Sequence, residues 1–381
     1  MRLFEFLILT AESLVGVVEA TGDSDDGRQP IIIDTDLFSD VDDVGALAIA
    51  NVLHNCGLAD LRGIVLNTPS HYGALAASAL CTYYGNDVPI AAFRLINNDT
   101  FFDSFYYLYG EYASKLAYHW PRKLDSAFST PTPVELYRTI LSSAKDKSIH
   151  IISIGFLTNL ADLLKSEADH ISPLSGLELA AQKVSELIIM GGEYPSGWEY
   201  NFGGIDPEST AHVVHHWPKS VNITYSGSEL GGNIFSGQSL VQRLPPDSPV
   251  LSAYQWYVGR GSTLRPSWDP ITTLYGVLGL DLPSKIGVRP MLEYGNESGY
   301  NSIVLANGSN VWINDTDITN QHWLRLVDGA NYSMAALLDE FLSHDPSLKS
   351  CFRYDLLSEN AKDMPMFVGN RGIRGKTGHV E

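Results

Sequence analysis

The sequence predicts an α/β protein: an open, mostly parallel, doubly wound Rossmann-like sheet with helices on both faces. Three observations carry that expectation. Strand-like and helix-like segments alternate along the chain, the pattern that yields parallel strands joined by helical crossovers. The first strand candidate, Ile31-Ile32-Ile33 after Pro30, is apolar at consecutive positions, as in a strand buried on both faces. It runs into Asp34, Asp36, Asp40, Asp42 and Asp43, five carboxylates within ten residues, and then into an apolar run with helical spacing from Val44 to Leu53. Ligands of open α/β sheets bind at the carboxyl ends of strands. One aspartate suffices to cap a helix. Five crowded carboxylates repel one another, and a bound divalent cation is the usual remedy.

The remaining elements follow in order. Leu61 to Asn67 reads as the second strand, Ala74 to Tyr84 as a small-residue helix and Val88 to Ala91 as a third strand. Residues 94–131 lack periodicity and are crowded with aromatics, among them Phe101, Phe102, Phe105, Tyr106, Tyr107 and Tyr109, so a long functional loop is expected there. A helix over 133–144 precedes a strand from Ile149 to Ile154, a helix-like Leu160 to Leu164, and a strand from Val184 to Met190 ended by Gly191-Gly192. Pro207 to Val214 reads as a helix and Val221 to Tyr225 as a strand. Residues 301–313 suit a hairpin around Asn307-Gly308, and Tyr332 to Leu342 a closing helix. The crossovers should be right-handed.

Composition bounds the function. Hydrophobic content of 44% and charged content of 18% describe a globular chain able to bury a large core. Residues 28–350 read as one domain, since α/β folds often run past ~250 residues without dividing. A net charge of −19, from 44 acids against 25 bases, argues against nucleic acid or an anionic membrane as partner and suits cations or small neutral ligands. No stretch beyond the N-terminus approaches ~18 consecutive apolar residues, so no membrane span is expected. Residues 1–20 read as a signal peptide: Arg2 precedes the runs Leu3 to Leu9 and Leu14 to Val18, which Glu5 and Glu12 interrupt. Six Asn-x-Ser/Thr acceptors, at Asn98, Asn222, Asn296, Asn307, Asn314 and Asn331, agree with a secreted glycoprotein. Cys56, Cys81 and Cys351 allow one bridge plus a free thiol, or three buried thiols. Residues 359–381 lose periodicity and read as a loose tail.

Three more places carry candidate chemistry. The strand ending at Ile154 runs into Gly155-Phe156-Leu157-Thr158-Asn159, which sets backbone carbonyls and the Thr158 hydroxyl at another strand's carboxyl end. Met190-Gly191-Gly192 is followed by Glu199-Tyr200-Asn201 and Asp206-Pro207-Glu208. In extended chain Glu199 and Asn201 point the same way, and a carboxylate beside an amide suits sugar hydroxyls. Last, Asp269 stands before the helix-like Ile271 to Leu278, with Trp268 preceding it.

Taken together and in this order, these blocks resemble the inosine–uridine-type nucleoside hydrolases across roughly residues 30–345. The resemblance implies the nucleoside hydrolase fold and Ca²⁺-dependent hydrolysis of the N-glycosidic bond of ribonucleosides to ribose and free base. It implies that Asp36, Asp43, Asp269 and the Thr158 backbone carbonyl bind Ca²⁺, and that Asp42 is the general base toward water. Oxygen-only ligands with several carboxylates are what a hard cation takes. Glu199, Asn201, Met190 and Asn67 would bind the nucleoside, with Asp34 supporting the site from behind. The resemblance places an acid at the residue before the last metal-binding aspartate in general-purpose members and an aromatic in purine-specific ones. Trp268 stands there, which implies purine preference, the base stacked between Trp268 and a ring from the pool Phe101 to Tyr109; His71 is the alternative proton source. The partner is then a small nucleoside, with no nucleic acid or membrane and with room for a homo-oligomer.

The chain departs from the family's pattern in its acidic turn. Five residues, Leu37 to Val41, separate Asp34-Thr35-Asp36 from Asp42-Asp43 where the family has three, so the turn bulges and either Asp36 or Asp40 could face the cation. Two other functions compete. A haloacid-dehalogenase-like phosphatase also starts from a strand and Asp-x-Asp, but Phe38 occupies the position where that family wants Thr or Val, and Glu199-Tyr200-Asn201 is left without a role. A secreted nucleoside- or sugar-binding protein on an inactive hydrolase fold accommodates the bulged turn but not the retained Asp42-Asp43 pair. An EF-hand loop fails because Ser39 and Gly45 stand where it needs Gly and Glu.

Overall fold

The computed structural model describes residues 27–38, 40–99, 111–348 and 351. The expected signal segment at 1–20, the aromatic pool Phe101 to Tyr109 and the tail at 359–381 lie outside these residues.

Strand β1 (Gln29–Thr35) occupies the interior of an eight-stranded sheet, with β2 (Ala59–Leu66) on one side and β4 (Ile149–Ile154) on the other. The sheet continues through the short β3 (Ile90–Ala91) beyond β2, and through β5 (Val184–Met190), Asn222–Ser226, Gln321–Leu326 and Leu292–Tyr294 beyond β4. Every pairing is parallel except the last, where Leu292–Tyr294 runs antiparallel to Gln321–Leu326. The expected architecture is therefore present, with one antiparallel edge strand.

The isoleucine run of β1 behaves as its composition predicts. Ile31 and Ile33 enter one buried cluster and Ile32 the other, on opposite faces of the sheet. Helix α1 (Asp42–Asn55) follows the acidic turn, and α2 (His71–Tyr83) follows β2. Between β3 and β4 the chain forms α3 (Ala113–His119), a 3-10 turn at Ala127–Ser129 and α4 (Pro133–Ser143). The described part of residues 94–131 is thus less irregular than its sequence suggests. Helix α5 (Thr158–Lys165) follows β4, and the late aspartate opens the helix Trp268–Leu278. The hairpin forms as expected, Tyr300–Ile303 against Asn310–Ile313, with Gly308 at φ 71° in its turn. No helix among the described residues is long and apolar enough to cross a membrane.

Cys56 and Cys351 form a disulfide, and Cys81 is free and buried, which selects the first of the two cysteine arrangements. The bridge fastens residue 351 to the C-cap of α1, the helix whose first turn carries Asp42 and Asp43.

Candidate active site

The carboxyl ends of β1, β4 and β5 open into one cleft of about 280 Å³. Asp36, Asp40, Asp42 and Asp43 line it from the acidic turn and the start of α1. Ile154 and Met190 line it from the ends of β4 and β5. Trp198, Glu199, Tyr200 and Asn201 form one wall, and Ser228, Arg265, Trp268 and Asp269 the other. The volume suits one small molecule.

The cleft is built around carboxylates. Oxygens of Asp42, Asp43 and Asp269 lie within 4.8 Å of one another, and all three residues are buried. Asp43 accepts a hydrogen bond from the Thr35 hydroxyl through Oδ1, while its Oδ2 is buried with no hydrogen-bond partner. Asp42 Oδ2 accepts from the Asp269 backbone N–H at 3.2 Å, which joins the start of α1 to the start of the helix Trp268–Leu278. Burial first, and neighbouring carboxylates second, push all three carboxyl groups well above the usual carboxylate range. Three hard oxygen donors and an orphaned buried carboxylate oxygen fit a divalent cation.

Both candidates of the acidic turn, Asp36 and Asp40, line the cleft, and they differ in their partners. Asp40 is engaged by Arg265, whose Nε donates to Oδ1 at 3.1 Å and whose Nη2 donates to Oδ2. Asp36 shares the cleft with the three-carboxylate group.

Asp34 points away from the cleft into a closed shell. It accepts from the Tyr137 hydroxyl at 2.7 Å, from Asn67 Nδ2 at 2.7 Å and from Asn159 Nδ2 at 3.2 Å. Burial pushes its carboxyl up to about 7, against the pull of those three donors. Asn67 Nδ2 donates to Asp34 and the Phe156 carbonyl, its Oδ1 is buried with no hydrogen-bond partner, and the residue is not among those lining the cleft. The same region explains Gly155. A Cβ there would lie 2.6 Å from the Asp36 N and 2.8 Å from Asn67 Nδ2, so only glycine lets β4 pass this close to the acidic turn.

Thr158 is not among the residues lining the cleft. It is the first residue of α5, where its carbonyl belongs to the helix's own hydrogen-bond ladder. The residue that lines the cleft from this side is Ile154, the last residue of β4. Strand ends line the cleft, and Thr158 lies four residues past this one.

Glu199 and Asn201 do share the cleft, but not by extended alternation. Glu199 caps the helical turn Tyr200–Gly203, accepting from the N–H groups of Asn201 at 2.8 Å, Phe202 at 3.3 Å and Gly192 at 3.2 Å. Burial pushes its carboxyl up to about 7 in spite of those donors. Asn201 Nδ2 donates to the Met190 carbonyl and approaches the Met190 sulfur, both at 3.2 Å, so the wall and the end of β5 hold each other in place.

Trp268 lies along the cleft with its indole N–H donating to the Ser228 carbonyl at 2.8 Å, and the Arg265 guanidinium sits 5.3 Å from its ring. His71 is not part of the cleft and packs 5.7 Å from Phe128. Trp198 and Tyr200 are the other described aromatics of the cleft. Arg265 and Ser228 were not anticipated. A lone arginine four residues before Asp269 in an acidic chain was the available signal for the first, and nothing local marks the second.

This fold and this site define an α/β protein with a carboxylate-lined, cation-competent pocket for a small ligand. The sequence profile of the inosine-uridine preferring nucleoside hydrolases matches residues 31–231, and the chain belongs to that family of N-glycosyl hydrolases. Among solved structures, an inosine–guanosine nucleoside hydrolase aligns with a TM-score of 0.60 at 16% identity, over 84% of this chain and 99% of its own. A plant nucleoside hydrolase aligns with a TM-score of 0.57 at 18% identity, over 83% and 99%. A type III effector protein complexed with adenosine diphosphate ribose aligns at 0.57 and 14%, over 84% and 95%. At these identities the likeness is one of fold. No curated protein sequence matches the chain.

Proposed function

We propose that the protein is an exported, Ca²⁺-dependent nucleoside hydrolase that prefers purine ribonucleosides. The observation that carries the reading is the convergence of Asp42, Asp43 and Asp269 beside Asp36 at the carboxyl ends of the strands. Asp36, Asp43 and Asp269 would hold the ion, with the Ile154 carbonyl a better-placed donor than Thr158. Bound calcium supplies positive charge that offsets the carboxylate repulsion and acidifies water in the cleft.

Asp42 takes the proton from the attacking water, its carboxylate steadied by the Asp269 N–H. Glu199 and Asn201 accept and donate to the ribose hydroxyls. As the glycosidic bond breaks, positive charge develops on the sugar ring, and the carboxylates around it stabilise that charge. Trp268 carries no proton that it can give to the base at neutral pH; instead, stacking on its ring would make a purine ring nitrogen basic enough for solvent to protonate it as the glycosidic bond breaks, which favours purines. Export is supported by the Cys56–Cys351 bridge, since disulfides persist in oxidising compartments.

Ribose release across a panel of nucleosides tests the reading. Inosine or guanosine should exceed uridine by at least ~10-fold in kcat/KM, or ~1.4 kcal/mol of transition-state discrimination. Binding of nucleosides without any release would point to an inactive hydrolase fold instead.

A further inference from the structure

The acidic turn carries five residues, Leu37 to Val41, between its aspartate motifs, and Asp40 within it meets a residue 225 positions away. Arg265 grips the Asp40 carboxylate at two points, through Nε and Nη2. The two side chains are only 17% and 15% exposed. The guanidinium also lies 5.2 Å from the Tyr257 ring and 5.3 Å from the Trp268 ring. The Asp40 carbonyl accepts from the Tyr112 hydroxyl, which in turn accepts from the Phe38 N–H at 3.1 Å. Among the described residues, Arg265 is the only cation lining the cleft.

Position in the chain gives the pair its meaning. Asp40 lies two residues before Asp42, and Arg265 four residues before Asp269. The two halves of the carboxylate group come from separate helix starts, Asp42-Asp43 on α1 and Asp269 on Trp268–Leu278. The ion pair ties the segments that lead into them. We propose that Asp40 and Arg265 are a positioning pair that presets the distance between Asp42-Asp43 and Asp269 for a divalent cation. This rests on the calcium reading above. It differs from a role in which Arg265 merely cancels one negative charge, because the two roles predict opposite signs.

Calcium titration by calorimetry on the full chain decides between them, with a thermal melt of each variant to show that it is folded. Arg265→Met removes a positive charge beside the ion. Charge cancellation alone therefore predicts tighter calcium binding, whereas positioning predicts binding weaker by at least ~10-fold, as for other groups that orient metal ligands. Arg265→Lys keeps the charge but loses the two-point grip, and positioning predicts weaker binding here too. The double variant Asp40→Asn/Arg265→Met restores the net charge, and positioning predicts that it stays weak. Tighter binding in Arg265→Met, or wild-type affinity in Arg265→Lys and the double variant, overturns the pair's role. A wild-type protein that takes up no calcium overturns the calcium reading and the pair's role with it, whereas wild-type uptake with unchanged variants overturns the pair alone.

Discussion

Thr35 donates its hydroxyl to Oδ1 of Asp43, and Oδ2 of the same carboxylate is buried with no hydrogen-bond partner. Thr35 is the last residue of β1, and Asp43 lies in the first turn of α1, so this bond closes the acidic turn upon itself. One oxygen of Asp43 lies within 4.8 Å of oxygens of Asp42 and Asp269. An unsatisfied buried acceptor costs on the order of 1–3 kcal/mol, and more when it is charged. A chain that keeps such an atom beside Asp42 and Asp269 is arranged for a cation rather than for stability alone.

The catalytic assignment falls first on Asp42. Asp42→Asn keeps the size of the side chain but cannot accept a proton from water. Turnover should fall by at least ~10²-fold, within the usual worth of a general base, while calorimetric calcium uptake persists. Near-normal turnover in this variant would remove Asp42 from the mechanism.

The base-stacking assignment falls on Trp268. Trp268→Ala should erase most of the purine advantage in kcat/KM, since an aromatic contact with a base is worth ~1–3 kcal/mol by alanine substitution. Purine turnover that survives the change intact would exclude the ring from base recognition.

Cysteine chemistry gives a third expectation. Unreduced, denatured protein should yield one reactive thiol per chain, from Cys81, and native protein none, because burial pushes that thiol up to about 12. Cys56→Ser should lower stability by about 2–5 kcal/mol in a denaturant melt. Three reactive thiols in the unreduced chain would contradict the bridge.

Glycan placement tests export. Asn98, Asn222, Asn307 and Asn314 are exposed, whereas the Asn296 amide is committed to the Gln321 carbonyl at 3.0 Å. Glycopeptide mapping of protein from its native source should find hexose at exposed acceptors and none at Asn296. A glycan-free chain that begins at Met1 would contradict export.

The sheet and much of the cleft are legible in the sequence because they rest on local signals. Three consecutive isoleucines read as a strand covered on both faces, which the structure shows, and five aspartates follow them at its carboxyl end. The departures come where tertiary contact decides. The resemblance implies Thr158 at the β4–α5 turn, but it is Ile154, at the strand's end, that lines the cleft, a difference set by the turn's path rather than by any local signal. Extended alternation failed at Glu199 because its carboxylate binds the next N–H groups and starts a helix. Asn67 lies at a strand end as expected, yet Asp34 captures its amide. The Asp40–Arg265 pair joins residues too far apart for any local pattern to reveal. One miss was readable: Ser175 and Glu178 form a capping box that starts the helix Gly176–Lys183.

The central claim is that the carboxylate cleft hydrolyses nucleosides with calcium in place. Its most direct test is ribose release from inosine by purified protein, before and after chelation and again after Ca²⁺ is restored. Release should stop on chelation and return with calcium. Undiminished release in the presence of excess chelator would contradict the account.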